Sequence, residues 1–136
     1  MRGVSVKREQ GVAALEMMLL LPVLLLLLLG GLELARGATL RMALGDGTWR
    51  AARYLSVYDP WDEVRAETIV RDAVADNALG GDPAAVTVTV SDNGGRSFGH
   101  VITVRAETTF CPLVPFLTPG CVVLAAEHSV QVEVWP

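Results

Sequence analysis

The chain has 136 residues, 51% of them hydrophobic and 19% charged, with a formal charge of -4. That length suffices for one small domain with an attached segment. The acidic balance, without any basic patch interleaved with aromatics, excludes a recognised kind of nucleic-acid binder.

Residues 1–11 form a short polar leader in which Arg2, Lys7 and Arg8 outweigh Glu9. From residue 12 to residue 32 the sequence is apolar or glycine apart from Glu16 and Pro22. A helix over this stretch rises about 1.5 Å per residue and spans roughly 30 Å, the thickness of a bilayer core. Pro22 would break a soluble helix, but neighbouring groups in lipid can compensate its lost hydrogen bond. The basic residues precede the apolar run and Glu33 follows it. The positive-inside tendency therefore predicts a single-pass protein of the cell (inner) membrane, with its N-terminus cytoplasmic and its larger part outside. A cleaved export signal is the rival reading. Its apolar region is usually about 7–15 residues long, shorter than this one. The small-x-small site Ala35-Arg36-Gly37 also puts an arginine beside the cut.

Residues 33–58 read as an extension of the same helix, with apolar spacing through Leu34, Ala38, Met42, Trp49, Ala52 and Leu55 and a weak point near Gly45 and Gly47. Glu33 and Arg36 are spaced for an ion pair on an exposed helix face. Trp49 and Tyr54 are expected against the core of an outer domain. That domain is expected over residues 59–136. Asp59 is placed to cap a second helix, Pro60 to fit its first turn, and Asp62 and Glu63 to suit its positive end. The helix is expected to carry Ala66, Ile69, Val70, Ala73, Val74 and Ala78 on one side and to end before Gly80-Gly81. Trp61 is expected beneath it.

The period then changes to two. AAVTVTVSD, GHVITVRAETT and HSVQVEVW each alternate apolar with polar residues, which predicts three antiparallel strands with one buried face. SDNGGRS supplies the first turn. Cys111 to Cys121, with three prolines between them, forms the second connection. Trp135 is expected to close the core or face a partner. The predicted fold is α+β: a long N-terminal transmembrane helix, then a small helix and an antiparallel sheet.

Cys111 and Cys121 in an exported domain suggest one disulfide, two free thiols being the alternative. No metal or cofactor site is expected, because His100 and His128 form no ligand-spaced cluster with the cysteines. No catalytic residue is assigned. His128 and Ser129 are strand neighbours and point to opposite faces. Asp59, Asp62 and Glu63 are explained by capping. SDNGGRS lacks the strand–loop–helix context and lysine of a phosphate loop, and DNGG is not a recognised calcium loop. No small-molecule substrate is implied.

Glu16 remains to be explained. A carboxylate at the centre of a membrane helix costs about 2.5–3.5 kcal/mol, less near the interface. Snorkelling to the interface is the plain account. The alternative is a cation that the uncut chain does not show. Cleavage after Gly11 would give Val12 a free amine, and Glu16, four residues on, shares its helical face.

A basic leader, a glycine, a glutamate five residues after it and a leucine-rich helix resemble the processing signature of type IV pilins and pseudopilins. REQGVAALEMMLLLPVLLLLLLGGLELAR followed by TWRAARYLSV resembles TadE-like proteins, minor pseudopilins of the tight-adherence (Flp) pilus system, as does ITVRAETTFCPLVPFL leading into LAAEHSVQVEVW. The resemblance implies a pilin-like fold and a structural role in pilus assembly or a related secretion apparatus. It also implies cleavage between Gly11 and Val12 by a prepilin peptidase, and Glu16 as the assembly carboxylate. The implied partners are membrane lipid, the peptidase and other pilins or pseudopilins. An uncleaved single-pass protein, whose small outer domain is a binding module, is the alternative.

Overall fold

The computed structural model describes residues 3–113 and 120–134, with side chains described from residue 13 onward. Two helices and three strands follow in chain order: α1 (Gly3–Val57), α2 (Glu63–Asn77), β1 (Thr87–Asp92), β2 (Val101–Phe110) and β3 (Val122–Gln131). A single 3-10 turn, Pro83–Ala85, precedes β1.

Helix α1 has 55 residues and runs without interruption through Pro22, Gly45 and Gly47. At about 1.5 Å per residue it is roughly 80 Å long. Its outer half is ordered by packing. Leu40, Ala43, Leu44, Ala51, Ala52 and Leu55 are buried apolar residues, with Thr48 and Ser56 buried among them. These positions recur every three or four residues and form one stripe. The stripe differs from the expected one. Leu34 is 78% exposed, Met42 73% and Trp49 51%, and only Ala52 and Leu55 of the expected positions are buried in the core. The larger apolar side chains misled the reading. The true seam consists mostly of small residues because α2 and the sheet approach the α1 backbone closely. Thr48 and Ser56 satisfy their hydroxyls locally by donating to the carbonyls of Gly45 and Arg53, each at 3.0 Å.

Helix α2 starts later than the sequence implies. Asp62 is its cap, accepting from the Arg65 amide at 2.9 Å, whereas Asp59 accepts from the Trp61 amide in the preceding turn. Both aspartates can cap, and Pro60, itself buried, lies in the connection between them. The inward side is as expected: Ala66, Val70, Ala73 and Val74 are buried, and Ile69 and Ala78 pack beside them. Where α2 crosses α1, a Cβ added to Gly47 would lie 3.0 Å from Val70 Cα and 3.1 Å from Ala73 Cβ. A side chain at this position would press on α2, so glycine suits the close approach.

The strands form an antiparallel sheet in the order β1-β2-β3. Val88 and Val90 of β1, and Ile102, Val104, Ala106 and Thr108 of β2, point inward with Leu124, Ala126, His128 and Val130 of β3. Register pairs such as Ile102 with Val130 and Val88 with Ala106 bring apolar residues together on that face. The outer face is polar: Thr103 and Ser129 share a hydrogen bond of 2.8 Å, and Arg105 pairs with Glu127 at 3.6 Å. Strand β3 begins at Val122, earlier than the expected HSVQVEVW. Ala126 and His128 take the inward positions in its first half, so the apolar alternation is muted there. The chain stays extended past β3, with Val132 buried and its amide donating to the His100 carbonyl at 2.8 Å.

The sheet, through β2 and β3, and α2 both pack on α1. Glu133 donates its amide to the Ser56 carbonyl at 2.7 Å near the outer end of α1, while Phe110 lies beside Gly37 near the start of the outer half. Strand β2 therefore runs antiparallel to α1, and the Cys111–Cys121 end of the β2–β3 hairpin points back along α1 toward the apolar segment.

Candidate functional site in the apolar helix

Among the described residues, one helix is long and apolar enough to cross a membrane, Ala13–Val57 of α1, and its most apolar stretch is entirely unburied. Every residue from Ala13 to Leu29 is exposed. A contiguous leucine surface of this size is not tolerated in water by a monomeric protein and calls for hydrocarbon or protein around it.

Glu16 lies inside this stretch and is exposed on the helix surface. Among the described residues it has no hydrogen-bonded or ionic partner. The backbone of α1 is helical through Gly11 and Val12, whose side-chain placements lie outside the described residues. Glu16 is four residues on from Val12, so the two positions share a helical face with their Cα atoms offset by about 6 Å along the axis. Gly11 is a soft point, since a helical glycine is about 1 kcal/mol less favourable than alanine.

Three turns beyond the apolar run's middle, the helix acquires an ion pair. Arg36 donates to Glu33 at 3.0 and 3.3 Å. The pair was expected on an exposed face, but Glu33 is buried at 6% exposure, because the guanidinium covers it while lying over the Phe110 ring. The two charges thus cancel at the junction between apolar segment and domain.

Cys111 and Cys121 are joined in a disulfide, with their Cα atoms 4.2 Å apart. The prolines and apolar residues at 114–119 lie outside the described residues, as does Trp135. The bond ties the ends of β2 and β3 together at the end of the hairpin nearest the apolar segment.

The remaining candidate clusters have structural explanations. The Asp92 carboxylate accepts from the amides of Gly94 at 3.1 Å and Gly95 at 2.9 Å and from Arg96 Nε at 3.3 Å. The two glycine amides, with Arg96 adding to them, hold the Asp92 carboxyl below the usual carboxylate range. Arg96 also donates to Glu63 and to the Pro60 carbonyl and lies over the Trp61 ring. The hairpin loop is thereby fastened to the α1–α2 connection. Sequence reasoning missed this role of Arg96, since its partners lie more than thirty residues away. Trp61 is 67% exposed and stacked by Arg96, not covered by α2; Trp49 is likewise half outside the core. Tyr54 does pack on the core, and its hydroxyl donates to Asp62 at 3.2 Å. His128 faces inward and Ser129 outward. Among the described residues, no group of three His, Cys, Asp or Glu side chains is arranged to hold a metal.

No curated protein and no solved structure matches the chain. The sequence model of the TadE-like proteins matches residues 11–53. That stretch begins at the glycine five residues before Glu16 and covers the apolar segment with most of its packed extension. Over that stretch the chain is similar to TadE-like proteins, the family that the glycine, glutamate and leucine run led us to expect.

Proposed function

We propose that the chain is a membrane pseudopilin that serves the assembly of a tight-adherence pilus or a related secretion apparatus. The observation that carries this reading is Glu16, a carboxylate exposed on an apolar helix and without a partner among the described residues. An unpaired acid in hydrocarbon is costly, and an ammonium group beside it reduces the cost. A prepilin peptidase cutting after Gly11 would create that ammonium group on Val12. The peptide bond lies at a helical glycine, where local unwinding to reach a protease is least costly.

The cut chain would present an amine and a carboxylate at one end of an otherwise uniform leucine rod. Leucine surfaces can slide past one another, whereas an amine on one helix meeting Glu16 of the next fixes the axial register. The outer domain, held rigidly by α1, would then stand at a defined height beside other pilus components. The positive leader sets the orientation, with the N-terminus cytoplasmic and the domain extracytoplasmic. The role is structural and assigns no reaction to the chain.

The test uses two variants in cells that carry the pilus apparatus. Gly11→Ala should leave membrane insertion intact and block cleavage. Glu16→Ala should allow cleavage and impair incorporation. Normal incorporation of Glu16→Ala would show that the pairing does not set the register, leaving a single-pass protein whose outer domain binds a partner.

A further inference from the structure

A groove of about 750 Å³ lies where the apolar segment of α1 meets the disulfide end of the sheet. Its walls include Leu26, Leu27 and Gly31 of α1 on one side and Phe110, Val122 and Leu124 of the hairpin on the other. Absent side chains leave it open: a Cβ added to Gly31 would meet nothing within 4 Å. Leu26 and Leu27 belong to the stretch that crosses the bilayer, so the groove is continuous with the lipid-facing surface of the helix. Val122 remains 46% exposed and Leu113 73% exposed at the same end of the domain.

One charge at the groove needs a partner. Glu33 is neutralised by Arg36, but Arg41 lines the outer end and has no hydrogen-bonded or ionic partner among the described residues. The Arg41 Cα stands about 13 Å along the helix from Leu32, and a helical side chain covers the surface roughly one turn, 5.4 Å, nearer the N-terminus. The guanidinium then sits about 8 Å above the hydrocarbon edge. The headgroup band on each side of a bilayer is about 5–8 Å thick.

We propose that this groove binds a phospholipid of the outer leaflet, one acyl chain between α1 and the hairpin and its phosphate at Arg41. The shape is apolar where the chain would lie and cationic where the phosphate would lie. The lipid seats the domain on the membrane surface. This inference rests on the membrane insertion proposed above, and the test separates the two.

The full chain is reconstituted in phosphatidylcholine vesicles that contain a phosphatidylcholine with a diazirine on its acyl chain. After illumination, the adducts are mapped by mass spectrometry. Adducts are expected on Leu26 and Leu27 and also on Phe110, Val122 and Leu124. Gly31→Phe, whose Cβ would meet nothing within 4 Å and whose ring would project from a wall of the groove, should abolish the hairpin adducts and keep those on the leucine run. Arg41→Gln should weaken the hairpin adducts, and Arg41→Lys should restore them. Labelling of α1 without the hairpin, as when a second copy fills the groove, overturns the lipid site alone. Hairpin labelling unchanged in Gly31→Phe does the same. Absence of labelling on α1 overturns both the site and the membrane insertion beneath it.

Discussion

Two glycines two positions apart in α1 should respond to alanine with opposite signs. Gly45 and Gly47 both lie inside a regular helix, where alanine is favoured by about 1 kcal/mol. A Cβ at Gly45 would meet nothing within 4 Å, so Gly45→Ala gains that propensity without any clash. A Cβ at Gly47 would lie 3.0 Å from Val70 Cα and 3.3 Å from Val70 O. That is about 0.5–1 Å inside the preferred separation, and the atoms are backbone, so α2 must move away from α1. Overpacking of this kind costs about 1–3 kcal/mol, which leaves Gly47→Ala destabilised by roughly 1 kcal/mol after the propensity gain. For a domain of this size each kcal/mol moves the melting temperature by about 4–8 °C. Thermal unfolding of the detergent-extracted chain, followed by near-UV circular dichroism, should show Gly45→Ala melting above the parent and Gly47→Ala below it. An equal rise in both variants would refute the close helix crossing.

Other substitutions test the connections that hold the domain. Replacing Cys111 and Cys121 together by serine opens a loop with a sequence separation of 10 and should cost about 3 kcal/mol in the chain-entropy account, read as a lowered urea midpoint. Arg96→Ala removes a side chain only 9% exposed that joins Asp92, Glu63 and the Pro60 carbonyl, and should lower stability by about 2 kcal/mol in the same assay. The Asp92 carboxyl is held below its usual range, so its contribution is present above about pH 4, the unfolded value, and fades as pH falls through the folded one. Asp92→Asn should therefore flatten the acid limb of the urea midpoint against pH, and an unchanged limb would contradict the assignment.

The sequence declared the elements through their periods, and with them most of the fold. The leucine run, the α2 stripe and the three alternating strands are each written in one short window. The errors arose where packing across distant segments decided the outcome. Between Leu40, Leu44 and Leu55 the seam of α1 carries Ala43, Gly47, Thr48, Ala51 and Ser56, residues too small to stand out in a hydropathy pattern, and only the arrival of α2 and the sheet selects them. Strand β3 could be read only where valines alternate. Its first half alternates Leu124, Ala126 and His128 against Val123, Ala125 and Glu127, so neighbouring β2 supplies the register. The carboxylate of Glu16 was legible because a lone charge in a leucine run needs a reason. The groove at the other end of the apolar run was not, since it exists only once Phe110 and Val122 are folded back against Gly31 and Gly37.

Pairing of Glu16 requires an amine that only cleavage after Gly11 creates. The intact mass of the chain, extracted from membranes of cells with an active pilus apparatus, decides whether that amine exists. The expected species has lost residues 1–11 and begins at Val12. A chain that retains the leader under those conditions would contradict it.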